Sequence, residues 1–568
     1  MMQRDKEEAS MPAADPSSRP AWDAGHLPLL GRWYRDGGPA PATGAEALKQ
    51  ALLDIRSPVF VVNFDGRPAV AASGRAELGP GCEGKEGGIP LSGFAPPLPP
   101  DHLGDPEFKQ LIGIRYPYGI GAMANGITST DMVEAAARAG MVGFFGSAGL
   151  PPEAVAAAID RLRERLQGLA FGMNLIHTPD APDLERRIVS LYLEKGVRLV
   201  SASAYLRLSP HLILYRVKGI HTDAAGRIVI PNKVVGKVSR VEVASRFFAP
   251  PPEKTLARLE SEGRISREEA RLASNIPMAD AVTAEADSGG HTDNRPAIAL
   301  LSTIMACRDE VCKKAAYPRR IPVGLAGGIA TPAAAAAAFS MGADYVVTGS
   351  INQACVEAGV CETVRRMLAE TGQGDVTMAP SADMFEKGGR VQVLKRGTLF
   401  AMRAGRLLDC YRRHDSFDQV PEQERRTIEE KFLRRSFEAE WAATRRFFLE
   451  RDPAQVERAE SDPRHKMALV FRSYLGRSSI WAVTGEPERK ADYQIWCGPA
   501  MGAFNEWVKG SSLENTENRD VVTVAQNLLA GAAVLTRAAW LRNQGIPIPP
   551  EAARFSPMTR QALAGLMA

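Results

Sequence analysis

Between about residues 111 and 348, short apolar runs alternate with longer stretches whose apolar residues recur at helical spacing. The runs fall at 111–115, 141–145, 169–174, 197–202, 233–238, 279–285, 321–326 and 344–348. The segments between them, such as DMVEAAARAG and PPEAVAAAIDRLRERL, read as amphipathic helices. Eight strands alternating with helices predict a parallel α/β fold, and eight is the barrel number. The expected fold is therefore a TIM (β/α)8 barrel.

Two gaps are too long for a simple crossover. Residues 205–232 contain LILYRVKGI, an Asp-Ala-Ala-Gly turn and RIVI, which predict a hairpin excursion. Residues 253–274 predict two short helices broken at Gly263, with Ser266 as N-cap. Insertions after barrel strands sit on the catalytic face, where they can serve as lids or docking elements. Before the barrel, PVFVVNF, Asp65-Gly66 and RPAVAA predict a hairpin over 58–72. Residues 1–20 are polar and rich in Pro, Ser and Ala, and are expected to be disordered. A Pro/Gly-rich stretch from Gly79 to Pro100 reads as a linker. Beyond residue 376 the strand signal fades and helical segments such as VVTVAQNLLAGAAVLTRAAWLR dominate. The expected organisation is a small β-containing start and linker over 1–105, the barrel with its insertions over 106–375, and a helical C-terminal domain over 376–568.

The chain has 568 residues, too many for one compact core. At 45% hydrophobic and 24% charged it has an ordinary globular composition. A net charge of +4 gives no reason to expect nucleic-acid binding. Seven cysteines (82, 307, 312, 355, 361, 410 and 497) include no CxxC pair, which argues against a structural zinc site or a disulfide framework. No metal ligand set is expected. A reducing cytoplasmic setting fits this cysteine usage. The opening MMQRDKEEAS lacks the apolar core of a signal peptide. No uncharged apolar run of about 18 residues is seen, so no membrane span is expected.

The most informative segment is IPVGLAGGIATPAAAAAAFSMGADYVVTGSINQACVEAG, residues 321–359. A strand runs through Ala326 into Gly327-Gly328. Thr331 can cap the next helix, with Pro332 at its first position. A second strand runs into Gly349-Ser350 and a second helix start. Two such units side by side offer free backbone N–H groups to a phosphate, and the last two strand-to-helix loops of a barrel are the usual phosphate site.

Other residues could carry chemistry. In ADSGGHTDNRP, Gly289 and Gly290 remove side chains where a flat ring could approach the backbone. His291 would then project from the catalytic face and move a proton; the plainer reading is a loop histidine satisfied by Asp293 or a carbonyl. Asn174, ending FGMN, can donate to and accept from a heterocycle edge, or cap a turn. Met123, Ala124 and Asn125 in AMANG suit a flavin edge and equally a plain turn. Lys237 could stabilise an anionic reduced flavin or be simply solvated, with Lys218 as its rival. Cys307 and Cys312 read better as structural than as catalytic thiols. Residues 383–413 carry eight Lys/Arg against three Asp/Glu, either a solvated face or a surface for an acidic partner.

Taken together, YGIGAMANGI, FGMNLIH, EADSGGHTDNRP, GLAGGIATPAA, VTGSINQ, QVLKRGTLFAMRA and AFNEWVKGS resemble the PfaD-type proteins, trans-acting enoyl reductases of polyunsaturated fatty acid and polyketide synthases. Their barrel is similar to that of the FabK-type enoyl reductases and the nitronate monooxygenases. The resemblance implies non-covalent FMN, with its phosphate at Gly327-Gly328 and Gly349-Ser350 and its ring near Met123, Ala124, Asn174 and Gly289-Gly290. It implies His291 as the active-site histidine, NADPH as reductant, and a 2-enoyl thioester on an acyl carrier protein as substrate. No carrier-protein or acyltransferase segment is visible, which implies action in trans; a homodimer is compatible with this reading. The alternatives are a nitronate monooxygenase-like flavin oxidase, a flavin-free phosphate-binding barrel resembling IMP dehydrogenase, and a non-catalytic synthase-docking subunit.

Overall fold

The computed structural model describes residues 27–79, 87–179 and 181–567, so the expected disorder of 1–20 lies outside the described residues. The chain forms two compact units. One comprises the described residues up to Leu98 with Val534–Phe555, and the other Pro99–Ala533 with the residues from Ser556.

The smaller unit is built on a six-stranded antiparallel sheet. Its hairpin pairs Val59–Phe64 with Arg67–Ala71, as the alternation predicts. Asp65 and Gly66 turn it with φ of 50° and 77°, both positive as a two-residue turn of this kind requires. The stretch read as a linker instead contains the strand Ile89–Ala95, which pairs with Val59–Phe64. Its side chains Leu91 and Phe94 pack with Trp33, Phe60 and Val62, and that burial outweighs the prolines around it. Residues 80–86 lie outside the described residues.

The larger unit contains a closed eight-stranded parallel barrel. Its strands are β1 (Tyr118–Ile120), β2 (Val142–Phe145), β3 (Gly172–Ile176), β4 (Leu199–Ser203), β5 (Lys233–Val238), β6 (Ala281–Glu285), β7 (Val323–Ala326) and β8 (Val346–Thr348), each hydrogen-bonded to the next, with β8 closing on β1. The first expected strand is corrected. Residues 106–112 form a helix capped by Asp105 and ended by Gly113 at φ 84°, and β1 follows it. A short apolar run does not separate helix from strand by periodicity. The helix wins here because it places Phe108 and Ile112 in the barrel core with Val142, Phe144, Leu199, Val235, Ala281, Tyr345 and Val347. Phe108 stacks on Tyr345 with ring centroids 3.8 Å apart.

In the first insertion LILYRVKGI is a helix, Pro210–Val217, not a strand. The small hairpin that follows pairs His221–Thr222 with Ile228–Val229. The second insertion follows the expectation: helices Glu253–Ser261 and Arg267–Ala273, with Ser266 in a capping box with Glu269. After the barrel, an antiparallel pair Val376–Pro380/Arg390–Leu394 precedes the helices. One helix, Val521–Asn543, is long and apolar enough to cross a membrane by length and composition, although Arg537 interrupts its uncharged run, and 83% of its most apolar window is buried inside the protein.

Candidate functional site

The loops that follow β7 and β8 lie side by side because those strands pair directly, Leu325 with Val346 and Ala326 with Val347. Gly327 and Gly328 both have positive φ, 84° and 79°. A Cβ on Gly327 would lie 2.6 Å from the carbonyl carbon of Ala286, so that glycine is demanded by chain packing. A Cβ on Gly328 or Gly349 would meet nothing within 4 Å. The N–H groups of Gly327, Gly328, Gly349 and Ser350 donate to no partner among the described residues. Thr331 Oγ accepts from Ala334 N at 3.2 Å and Pro332 opens the helix to Ser340, as expected. The second unit differs: after Gly349 the chain forms a five-residue 3-10 turn, Ser350–Ala354. Orphan N–H groups, more than an aligned helix dipole, are therefore what these two loops could offer an anion.

The interior face of the barrel ends in a polar layer. Side chains alternate along a strand, so Lys237 shares the face of Val235, and Thr283 and Glu285 share that of Ala281, both core residues. Thr283 is hydrogen-bonded to the Tyr345 hydroxyl at 2.8 Å. Lys237 is in register with Thr283, and its Nζ reaches towards the carboxyl ends of the strands to within 2.7 Å of Glu285 Oε1. On β3, Asn174 is buried, and its Oδ1 accepts from Ser203 Oγ at 2.8 Å. Its Nδ2 has no partner among the described residues and can donate, and Oδ1 keeps a second lone pair. In the AMANG loop Met123 N donates to Thr128 Oγ1 and Asn125 N to Ala148 O, so these two N–H groups are already used. Ala124 alone of the three keeps an N–H with no partner among the described residues. Lys218 follows the insertion helix and bonds Arg264 O and Glu269, which removes it as a rival to Lys237.

The DSGGH loop is held from the far side of the sequence. Gly290 and Gln392 exchange two backbone hydrogen bonds, 2.9 and 2.7 Å. Gln392 Nε2 also reaches Asp287 Oδ1 and the Ser288 carbonyl. Residues 494–498 continue this arrangement, with Trp496 bridging Val393 and Gly498 N donating to Ser350 Oγ at 3.1 Å. A Cβ on Gly289 would lie 2.8 Å from Cys497 N. The space expected for a ring at Gly289 is thus filled by backbone. Burial pushes the Cys497 thiol up to about 12, and burial also raises Cys307 and Cys312, which leaves all three as structural thiols.

His291 is 44% exposed and its Nε2 lies 3.2 Å from Asp383 Oδ2. Its partner is not Asp293, which is engaged by Ser239 and Arg240. Desolvation raises the Asp383 carboxyl, but the hydrogen bond and charge of His291 outweigh it and hold the group below its ordinary value. The sequence reading missed Glu285, Gln392, Asp383 and the 494–498 segment. Of these, Glu285 alone carried a local signal, its two-residue spacing from Thr283 and Ala281.

The family profile for nitronate monooxygenase matches residues 105–401. Residues 414–493 match a second profile, the inserted helical domain of [acyl-carrier-protein] S-malonyltransferase. The chain is 40% identical over 518 residues to a polyunsaturated fatty acid synthase subunit of Thraustochytrium sp., covering 89% of this chain and 34% of that protein. It is 44% identical over 436 residues to polyketide biosynthesis protein PksE of Bacillus subtilis, covering 77% of this chain and 56% of that protein. The chain thus spans about a third to just over half of the length of these relatives. The crystal structure of the enoyl reductase domain of MlnA, from the macrolactin cluster of Bacillus amyloliquefaciens, superposes with a TM-score of 0.74 at 39% identity, covering 78% of this chain and 99% of that domain. The relatives belong to fatty acid and polyketide synthesis, and the profile spans the whole barrel. The chain therefore belongs to the nitronate monooxygenase family and, within it, to the PfaD-type enoyl reductase group.

Proposed function

We propose that this protein is an FMN-dependent, trans-acting enoyl reductase that reduces 2-enoyl thioesters on acyl carrier protein with NADPH, in polyketide or polyunsaturated fatty acid biosynthesis. The observation that carries the reading is the open cradle of four unpartnered N–H groups at Gly327, Gly328, Gly349 and Ser350 on consecutive barrel loops. Those residues fit a flavin phosphate, and the Asn174 amide and the Ala124 N–H fit the rim of its ring. FMN, when bound, supplies hydride chemistry between a reduced nicotinamide and the β-carbon of the enoyl group.

The chain's own groups do the rest. The cradle holds a dianion through backbone donors that need no reorganisation. Asp383 fixes the His291 ring by Nε2, which leaves Nδ1 for proton movement at the mouth. Lys237 sets a positive charge where negative charge develops. The 383–413 stretch presents Arg390, Lys395 and Arg406 to solvent, while Arg403 turns inward to Asp492. We assign the exposed part to an acidic carrier protein, on charge complementarity.

The test is anaerobic. NADPH should bleach the flavin band, and an enoyl thioester on carrier protein should restore it. His291→Ala should keep bound FMN and lower turnover; unchanged turnover would remove His291 from the reaction. The family profile's name favours one other reading, a nitronate oxidase, in which NADPH would leave the band intact. A colourless protein that takes up no FMN would defeat both and point to a docking role without catalysis.

A further inference from the structure

We propose that Lys237, positioned by Glu285, delivers the proton to Cα of the enoyl thioester. The inference rests on the enoyl reductase reading. Four observations lead to it. Lys237 and Glu285 lie on adjacent strands and on the interior face of the barrel, and each is the last inward residue of its strand. Lys237 is in register with Thr283, and its ammonium reaches Glu285, the next inward residue towards the carboxyl ends of the strands. Their side chains are 24% and 21% exposed. A half-buried ion pair gains little stability over an apolar pair of similar volume, so its presence at a barrel mouth asks for another reason. Finally, Ser288 Oγ donates to the same Glu285 oxygen at 3.4 Å, which ties the pair to the loop carrying His291.

The chemistry suits an ammonium there. A reduced nicotinamide coenzyme supplies the electron pair and hydrogen that arrive at Cβ as hydride. The displaced π electrons become an enolate spread over Cα and the thioester oxygen. A cation under this charge stabilises it, and one Nζ–H bond then breaks as the Cα–H bond forms. Lys237 is left as a neutral amine beside the Glu285 carboxylate, and it regains a proton from water at the mouth. Glu285 does not touch the substrate; it fixes where Nζ points. His291 is the more exposed group and is tied by one nitrogen to Asp383.

Protonation from a fixed group is stereospecific, and that supplies the test. An α-methyl enoyl thioester on carrier protein is reduced in deuterium oxide, and the configuration and deuterium content at Cα are read by chiral chromatography and mass spectrometry. The wild type should give one epimer. Lys237→Met should lower turnover by about 10²–10⁴-fold, the range for general-acid catalysis, and give both epimers equally. Glu285→Gln should lower kcat more than it changes KM and erode the epimer ratio in part. Lys237→Met with Glu285→Gln guards against an unpaired buried charge; it should be no worse than Lys237→Met alone, and its apoprotein should melt no lower than the wild type. A single epimer from Lys237→Met, or scrambling confined to His291→Gln, would overturn the proposal. A double variant that fails to fold would show a structural pair and overturn it too. If the wild-type flavin is bleached by NADPH but no enoyl thioester restores it, the enoyl reductase reading itself has failed, before any Lys237 variant is compared.

Discussion

A methyl group at residue 328 separates the anion cradle from ordinary chain packing. Gly328→Ala adds a Cβ that meets nothing within 4 Å, so it introduces no clash. Its backbone at φ 79° is left-handed, which costs an alanine about 1–2 kcal/mol. Gly327→Ala carries the same strain and also sets a Cβ 2.6 Å from Ala286 C and 2.8 Å from Asp287 O. That overpacking adds about 1–3 kcal/mol. The apoproteins should therefore differ in denaturant unfolding, with Gly328→Ala about 1–2 kcal/mol below the wild type and Gly327→Ala about 2–5 kcal/mol below it. FMN affinity should behave otherwise. The open space at Gly328 is where a phosphate would lie, and a methyl there displaces it from one or two N–H groups. Hydrogen bonds to a charged partner are worth about 1.5–3 kcal/mol each. Losing one gives roughly ten- to hundredfold weaker binding, measured by flavin fluorescence titration against the apoprotein. Unchanged FMN affinity in Gly328→Ala would place the phosphate elsewhere. Equal destabilisation by the two substitutions would refute the distinction between open and packed glycine.

Two further predictions concern the loop that carries His291. Gly289→Ala and Gly498→Ala each force a Cβ to within 3 Å of backbone, at Cys497 N and Gly289 N respectively. Each should lower the melting temperature, and the double variant should fall short of the sum because both act on one contact. Asp293 is held down to about 2 by the Arg240 hydrogen bond, against desolvation, with Ser239 and the Arg240 charge assisting. Its folded value lies below the unfolded one, so its contribution is present above about pH 4 and is lost as the pH falls towards 2. The stability gap between wild type and Asp293→Asn should close over that window in acid titrations of thermal melts; a gap that stays constant would mean Asp293 is not the titrating group.

Features set by neighbours in the chain were legible in the sequence; features set by pairing across it were not. The cap at Thr331, the Pro332 start and the N-cap at Ser266 are decided within four residues, and each reads correctly. So do seven barrel strands. The apolar run at 111–115 fails because it straddles the end of a helix that sets Phe108 and Ile112 into a core shared with Tyr345, more than 200 residues away, and a helix serves that core as well as a strand would. The same reasoning explains the glycines. Gly327 and Gly328 look alike in sequence, yet one is required by the backbone of Ala286 and the other faces open space. Gly289 looks like a ligand-facing glycine and is occupied by Cys497. A glycine in a sequence announces that something approaches closely, and only the fold says whether that is ligand or chain. The site is therefore narrower than its motifs suggest. Its cradle is the four N–H groups left over after the chain has packed, and the Lys237–Glu285 pair we propose for proton delivery sits at the ends of β5 and β6, which local pattern marks only as alternate positions on two short strands.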